Sequence, residues 1–214
     1  MVEIARRLHD ALRAPLPGLD AQLRMAPRPR AGWDPHHGPD GLRAAAALVL
    51  IYPVDGVLHV PLTVRGGTMR THTGQVSLPG GSVDVGETFE DAALREAQEE
   101  VGVDTRRVSL VGRLTPLHIP VSQFLLHPVV GVADARPVFQ TAEWEVARLL
   151  EVPITLLADP GTMRTERRER QSLGNVVEVE VPYFAVDGEK VWGATAMILA
   201  EFLAVIRVAG VIAG

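Results

Sequence analysis

Between Gly81 and Val103 the chain reads GSVDVGETFEDAALREAQEEVGV, and inside it Glu96, Glu99 and Glu100 stand at i, i+3 and i+4. On a helix that spacing stacks three carboxylates on one face, one turn apart. Like charges so close together repel, so the helix gains no stability from them. A hard divalent cation removes the repulsion, and an oxygen-rich ligand set of this kind suits Mg2+ or Mn2+. A solvated acidic helix face would carry the same residues. The glycines at both ends favour the ligand reading, because glycine marks tight turns and close backbone approaches.

The residues around the carboxylates predict a helix with defined ends. Thr88 followed by Asp91 reads as an N-cap with a capping-box-like partner. Ala92, Ala93, Leu94 and Ala97 are good helix formers, and Leu94, Ala97 and Val101 recur as a buried stripe. Gly102 is placed to end the helix in a left-handed cap. Ahead of the helix, Gly80-Gly81 after Pro79 allows positive φ and a close approach of backbone to a ligand. Arg95 is expected to orient a carboxylate by a charge-assisted hydrogen bond. Glu87 lies at the helix entrance, where the dipole favours negative charge.

Gly81, Glu87 and the run Arg95-Glu96-Ala97-Gln98-Glu99-Glu100-Val101-Gly102-Val103 resemble the Nudix box at every fixed position, with Ala97 smaller than the usual bulky aliphatic. The resemblance implies metal-assisted hydrolysis of a nucleoside diphosphate linked to another group. It implies an α/β fold, a Nudix-type α/β/α sandwich around a mixed β-sheet. It also implies a divalent cation, Mg2+ or Mn2+, held at Glu96, Glu99, Glu100 and Gly80, with Arg95 among the catalytic residues.

A second pattern lies upstream, in LTVRGGTMRTHTGQVSLPGG from Leu62 to Gly81. Leu62, Thr63, Arg65, Arg70, Gly74, Pro79, Gly80 and Gly81 resemble the extra signature of the coenzyme A pyrophosphatase branch of the family. Gly66 replaces a small hydroxyl residue there, Leu78 a Phe, and Pro61 an aliphatic. Pro128–Gly131 and Trp192–Ala196 are also similar to that branch. The implied partner is a coenzyme A-like nucleoside diphosphate compound, and the implied substrate-binding residues are Arg65, Arg70, His72, Gly80 and Gly81. Coenzyme A carries a diphosphate and a separate 3′-phosphate, and arginine suits phosphate through its planar fork. The competing reading pairs Arg65 and Arg70 with surface carboxylates and leaves His72 as a polar loop residue.

Water attacks a diphosphate slowly, because negative oxygens shield the phosphorus and the leaving phosphate is anionic. Bound divalent ions would neutralise that charge and lower the pKa of a bound water, and a carboxylate would accept its proton. Glu96 is one candidate base and Glu145, in EWEV, another. Glu143 and Glu145 would otherwise be the solvated face of a surface helix. Rival functions are hydrolysis of ADP-ribose, a nucleotide sugar or a dinucleoside polyphosphate, and ligand sensing without catalysis. The intact glutamates argue against sensing.

The 214 residues, 47% of them hydrophobic, suffice for one core. A net charge of −5 argues against nucleic-acid and anionic-membrane partners. There is no cysteine, hence no disulfide and no thiol nucleophile. The His36-His37 pair lies in a Pro/Gly-rich stretch and reads as a solvated loop. MVEIARRLHDAL lacks the apolar core of a signal peptide, so the expected compartment is the cytoplasm. ATAMILAEFLAVIRVAGVIAG, from Ala194 to Gly214, approaches the length of a membrane span, but Glu201 and Arg207 interrupt it. It reads as a buried terminal helix whose last residues, from Val208, are a candidate homodimer contact.

The expected organisation is an N-terminal helix and irregular extension over 1–42, one domain over 43–208 and a tail over 209–214. Residues 1–14 fit an amphipathic helix with Ile4, Leu8 and Leu12 on one stripe. Strands are expected at Ala44–Tyr52, Leu58–Val64, Gln75–Leu78, Val108–Leu114, Leu125–Val132 and Val176–Phe184, with an Asp55-Gly56 hairpin between the first two. Glu143–Leu150 reads as a helix, and Ala194–Val208 as the last one.

Overall fold

A computed structural model describes residues 1–28, 41–66, 74–120, 122–172 and 175–212. Helix α1 (Val2–Arg13) and the short α2 (Gly18–Gln22) lead to β1 (Arg43–Val54) and β2 (Val57–Arg65). Short strands β3 (Val76–Ser77) and β4 (Gly80–Ser82) precede α3 (Phe89–Val101). Then follow β5 (Val108–Arg113), β6 (Leu117–Ile119), β7 (Phe124–Ala133), β8 (Val146–Pro153) and α4 (Ile154–Ala158). The chain ends with β9 (Met163–Ser172), β10 (Asn175–Val186), β11 (Glu189–Trp192) and α5 (Gly193–Val208).

The centre of the fold is β1, whose apolar run is buried on both sides. It pairs parallel with β7 and antiparallel with β2 and β4, in a mixed sheet that also holds β3, β5, β6 and β8. Strand side chains alternate faces. Ala46, Leu48, Leu50 and Tyr52 therefore meet Ala92, Ala93, Ala97 and Val101 of α3. Ala47, Val49 and Ile51 point the other way, into a core with Leu8 and Leu12 of α1 and Met197, Ile198 and Phe202 of α5. This is an α/β/α layering around a mixed sheet. A smaller antiparallel sheet of β9, β10 and β11 stands beside it.

Local expectations hold in several places. Asp55 and Gly56 both take positive φ, 48° and 81°, as a two-residue hairpin turn requires. The N-terminal helix forms, and its Leu8 and Leu12 are buried. The expectation for Glu143–Leu150 is overturned: residues 143–145 form a turn and Val146–Pro153 is strand β8, paired antiparallel with β2. Leu150 and Val152 are buried on either side of the half-buried Glu151, a spacing of two that a helix cannot place on one face. The stretch expected to be irregular also contains α2, and the His36-His37 pair lies outside the described residues.

At the C-terminus no described helix is long and apolar enough to cross a membrane. Helix α5 packs on the sheet, and the fully buried Glu201 is tolerated there because its carboxylate is hydrogen-bonded. Its carboxylate accepts from Gln22 Nε2 at 2.8 Å, from Thr115 Oγ1 at 2.7 Å and from Thr115 N at 3.2 Å. Val211 and Ile212 fold back against the same core, while Val208 stays exposed.

Candidate active site: a carboxylate helix against a glycine strand

Helix α3 begins as its sequence dictates. Thr88 is the N-cap, and its Oγ1 accepts from Asp91 N at 3.1 Å. Phe89, the first helical residue, stacks on His127 of β7 with ring centroids 3.6 Å apart, and the Arg113 guanidinium lies over the Phe89 ring, 5.6 Å from its centroid. Glu90 pairs with Arg113 at 3.4 Å. Gly102 ends the helix with φ 70°, and its N–H donates to Gln98 O at 3.0 Å. With both ends held and the alanine face buried, the glutamates have little freedom to rotate about the helix axis.

Of the two freedoms that glycine allows ahead of the helix, the close approach is the one used. Gly80 and Gly81 do not take positive φ; they form β4, with Ala47 opposite Gly80 and Ala46 opposite Gly81. What requires glycine is closeness. A Cβ at Gly80 would lie 2.6 Å from Ala47 Cα, and one at Gly81 would lie 2.7 Å from Glu96 Oε2 and nearer still to Oε1. The bare backbone of β4 is the floor on which the Glu96 carboxylate rests.

Arg95 organises the acidic face. Its Nε donates to Glu87 Oε1 at 2.9 Å, its Nη1 to Glu96 Oε1 at 2.8 Å and to Glu99 Oε2 at 3.3 Å, and its Nη2 to Ser82 O at 2.9 Å. Glu87 closes the arrangement by accepting from Asp84 N at 3.0 Å. The Arg95 guanidinium holds the Glu87 carboxyl below its ordinary value, and the Arg95 pKa is raised in turn. Glu96 goes the other way: burial, with the charges of Glu99 and Glu145, raises it against the opposing influence of Arg95.

Glu100 is the most perturbed carboxyl. It is 6% exposed, and its Oε2 is buried without a hydrogen-bond partner. Burial first, then the charges of Glu145 and Glu96, push it up to about 8, against the opposing influence of Arg65 and a backbone hydrogen bond from Gly80. Glu145 thus reaches the carboxylates from the turn before β8, far away in sequence. Its carboxylate accepts from Arg65 Nη2 at 3.2 Å, and its backbone O accepts from Gly66 N at 2.9 Å. The pairing alternative for Arg65 is therefore realised, and its partner is a candidate site residue. Trp144 next to it is 74% exposed.

The structure brings Glu96, Glu99, Glu100, Arg95, Glu145, Arg65, Gly80 and Gly81 to one end of the sheet, whereas Arg70 and His72 lie outside the described residues. Among the described residues no three His, Asp or Glu side chains are already gathered at metal-ligand distance. The donor set still fits a hard cation, since it is all carboxylate oxygen and one buried oxygen lacks a partner.

The NUDIX domain model matches residues 42–168 of this chain. The chain belongs to the Nudix hydrolase family. It is 37% identical over 162 residues to the uncharacterized Nudix hydrolase NudL of Cronobacter sakazakii, covering 74% of this chain and 80% of the relative. It is 44% identical over 115 residues to NudL of Pectobacterium atrosepticum, covering 52% and 58%. Among solved structures, a Nudix hydrolase of M. smegmatis, RenU, is similar at 27% identity and a TM-score of 0.47, covering 56% of this chain and 78% of that one. This Nudix pyrophosphohydrolase carries Gly80 and Gly81 on β4 and Arg95, Glu96, Glu99 and Glu100 on α3, in the contacts just described.

Proposed function

We propose that this Nudix enzyme hydrolyses the diphosphate of coenzyme A or a coenzyme A derivative, using Mg2+ or Mn2+, to 3′,5′-ADP and 4′-phosphopantetheine. The observation that carries the hydrolytic reading is Glu100, a buried carboxyl with an unpartnered oxygen facing the charges of Glu96 and Glu145. Such an arrangement is unfavourable in isolation and becomes favourable when a divalent cation supplies the missing charge. The substrate is supported by the pattern Leu62, Thr63, Arg65, Arg70, Gly74, Pro79-Gly80-Gly81. Residues 43–208 form the catalytic domain in this reading, with 1–42 as an extension and 209–214 as a tail.

Glu96, Glu99 and Glu100 would hold the cation together with the backbone at Gly80. A bound cation would neutralise the diphosphate oxygens and acidify an attacking water. Arg95 keeps Glu96 and Glu99 oriented. Glu145 would accept the proton of the attacking water, because Glu96 is already committed to Arg95 and to the cation set, whereas among the described residues the Glu145 carboxylate is hydrogen-bonded to Arg65 alone. Arg70 and His72 engage the substrate phosphates, and Arg65 positions Glu145.

Incubation with coenzyme A, dephospho-coenzyme A, ADP-ribose, nucleotide sugars and dinucleoside polyphosphates, with product identification, tests the reading. The expected result is 3′,5′-ADP and 4′-phosphopantetheine from coenzyme A, and slower turnover of dephospho-coenzyme A. Faster turnover of ADP-ribose than of coenzyme A would replace the substrate and leave the chemistry standing.

A further inference from the structure

We propose that the concavity between the N-terminal segment and the β9–β10 hairpin binds a small organic phosphate monoester, at a site separate from the carboxylates. Arg24 and Arg28 come from the N-terminal segment and Arg164 from β9, and all three line one concavity of about 280 Å3. The backbone fixes their approach. Arg28 N–H donates to Glu180 O at 2.9 Å, Glu180 N–H donates back to Arg28 O at 2.7 Å, and Arg164 is held opposite Tyr183 in the β9–β10 ladder. Backbone bonding thus places Arg28 and Arg164 on the concavity that Arg24 also lines.

Their charge is left unbalanced. Among the described residues none of the three has a carboxylate at ion-pair distance; the nearest thing to a partner is Leu23 O, which accepts from Arg28 Nη2 at 3.2 Å. Among the described residues the single acid lining the concavity, Glu180, is 3.8 Å from Arg167, which draws on the same carboxylate. Three guanidinium groups against one shared carboxylate form a local positive site on a chain whose net charge is −5. A dianion relieves the repulsion, and the guanidinium fork matches phosphate oxygens in pairs. Met163, half exposed, and Pro182 supply an apolar wall for the organic part of the ligand. The volume suits a phosphate with a small substituent and is too small for a dinucleotide. No residue of this concavity belongs to β4, α3 or the turn at Glu145.

Phenyl phosphate is the probe, titrated calorimetrically into the full chain in chelator at constant ionic strength. As a monoester it contains no diphosphate to cleave. Saturable binding is expected. Arg24→Gln combined with Arg164→Gln should weaken it about tenfold or more, the scale of a lost charge-assisted hydrogen bond. Glu100→Gln should leave it unchanged, which keeps this site distinct from the proposed active site. Circular dichroism checks that the double variant is folded. Absence of saturable binding overturns the proposal, as does undiminished affinity in the double variant. Binding lost in Glu100→Gln but kept in the double variant would place the phosphate among the carboxylates and also overturn it.

Discussion

The Glu96 carboxylate lies directly against the backbone of Gly81, so that a Cβ there would come within 2.7 Å of Glu96 Oε2. One residue thus needs to be glycine because another, on the neighbouring helix, needs to be close. The pair joins the two halves of the family motif in a physical contact. Gly81→Ala should force Glu96 off its position while β4 and α3 still form. The expected loss in kcat is on the order of 10²-fold, as for a displacement of about 1 Å in a positioned group. Unaltered kcat in a folded Gly81→Ala variant would show that Glu96 can move without consequence.

Glu100 makes the metal-free protein sensitive to pH. Its folded pKa of about 8 lies above the ordinary 4.5. Between those values the folded state holds a proton that the unfolded state has released, so this residue's contribution to stability falls as pH rises through the window and levels off above 8. Glu96 acts in the same direction; His127, lowered by burial, acts in the opposite one. Comparison with Glu100→Gln, which cannot ionise, isolates the residue. In chelator the difference in Tm between wild type and Glu100→Gln should grow from pH 5 to 8, with the wild type falling behind. Stabilisation by added Mg2+ should be larger at pH 8 than at pH 6, since the cation competes with that proton. The same variant should lose about 10²-fold or more in kcat. Parallel Tm profiles for the two proteins would contradict the Glu100 assignment.

Arg70 tests phosphate recognition apart from the carboxylates. Arg70→Ala should leave Mg2+ binding, measured calorimetrically, close to that of the wild type. If the side chain grips phosphate equally before and during reaction, KM should rise with little change in kcat; if it meets charge that develops later, kcat should fall. Arg70→Lys keeps the charge and loses the fork, so it should recover only part of the function. Unchanged kcat and KM in Arg70→Ala would remove Arg70 from the site and weaken the case for coenzyme A.

The network at Glu201 should matter for stability and not for chemistry. Glu201→Leu would leave Gln22 Nε2, Thr115 N and Thr115 Oγ1 without their acceptor in a buried place. The expected cost is about 3 kcal/mol or more, roughly 6–12 °C in Tm for a domain of this size. The fraction that remains folded should keep its kcat. A Tm within about 2 °C of the wild type would show that water or a rearranged Gln22 replaces the carboxylate.

Some of this protein is local chemistry and could be read along the chain. The Thr88 cap, the alanine face, the αL glycine at 102 and the i, i+3, i+4 glutamates lie within one helix, where neighbours in sequence are neighbours in space. The Asp55-Gly56 turn and the apolar run of β1 are legible for the same reason. Tertiary structure decided the rest. Val146–Pro153 became a strand because β2 offered it an unpaired edge, and a helix-compatible sequence yields to such pairing. Gly80 and Gly81 proved necessary through packing against Ala47 and Glu96, not through φ. Arg65 meeting Glu145, Glu145 facing Glu100, and Gln22 reaching Glu201 each join residues dozens of positions apart. Periodicity carries no information about such pairs, because it records which face a side chain occupies and not what the fold brings opposite that face.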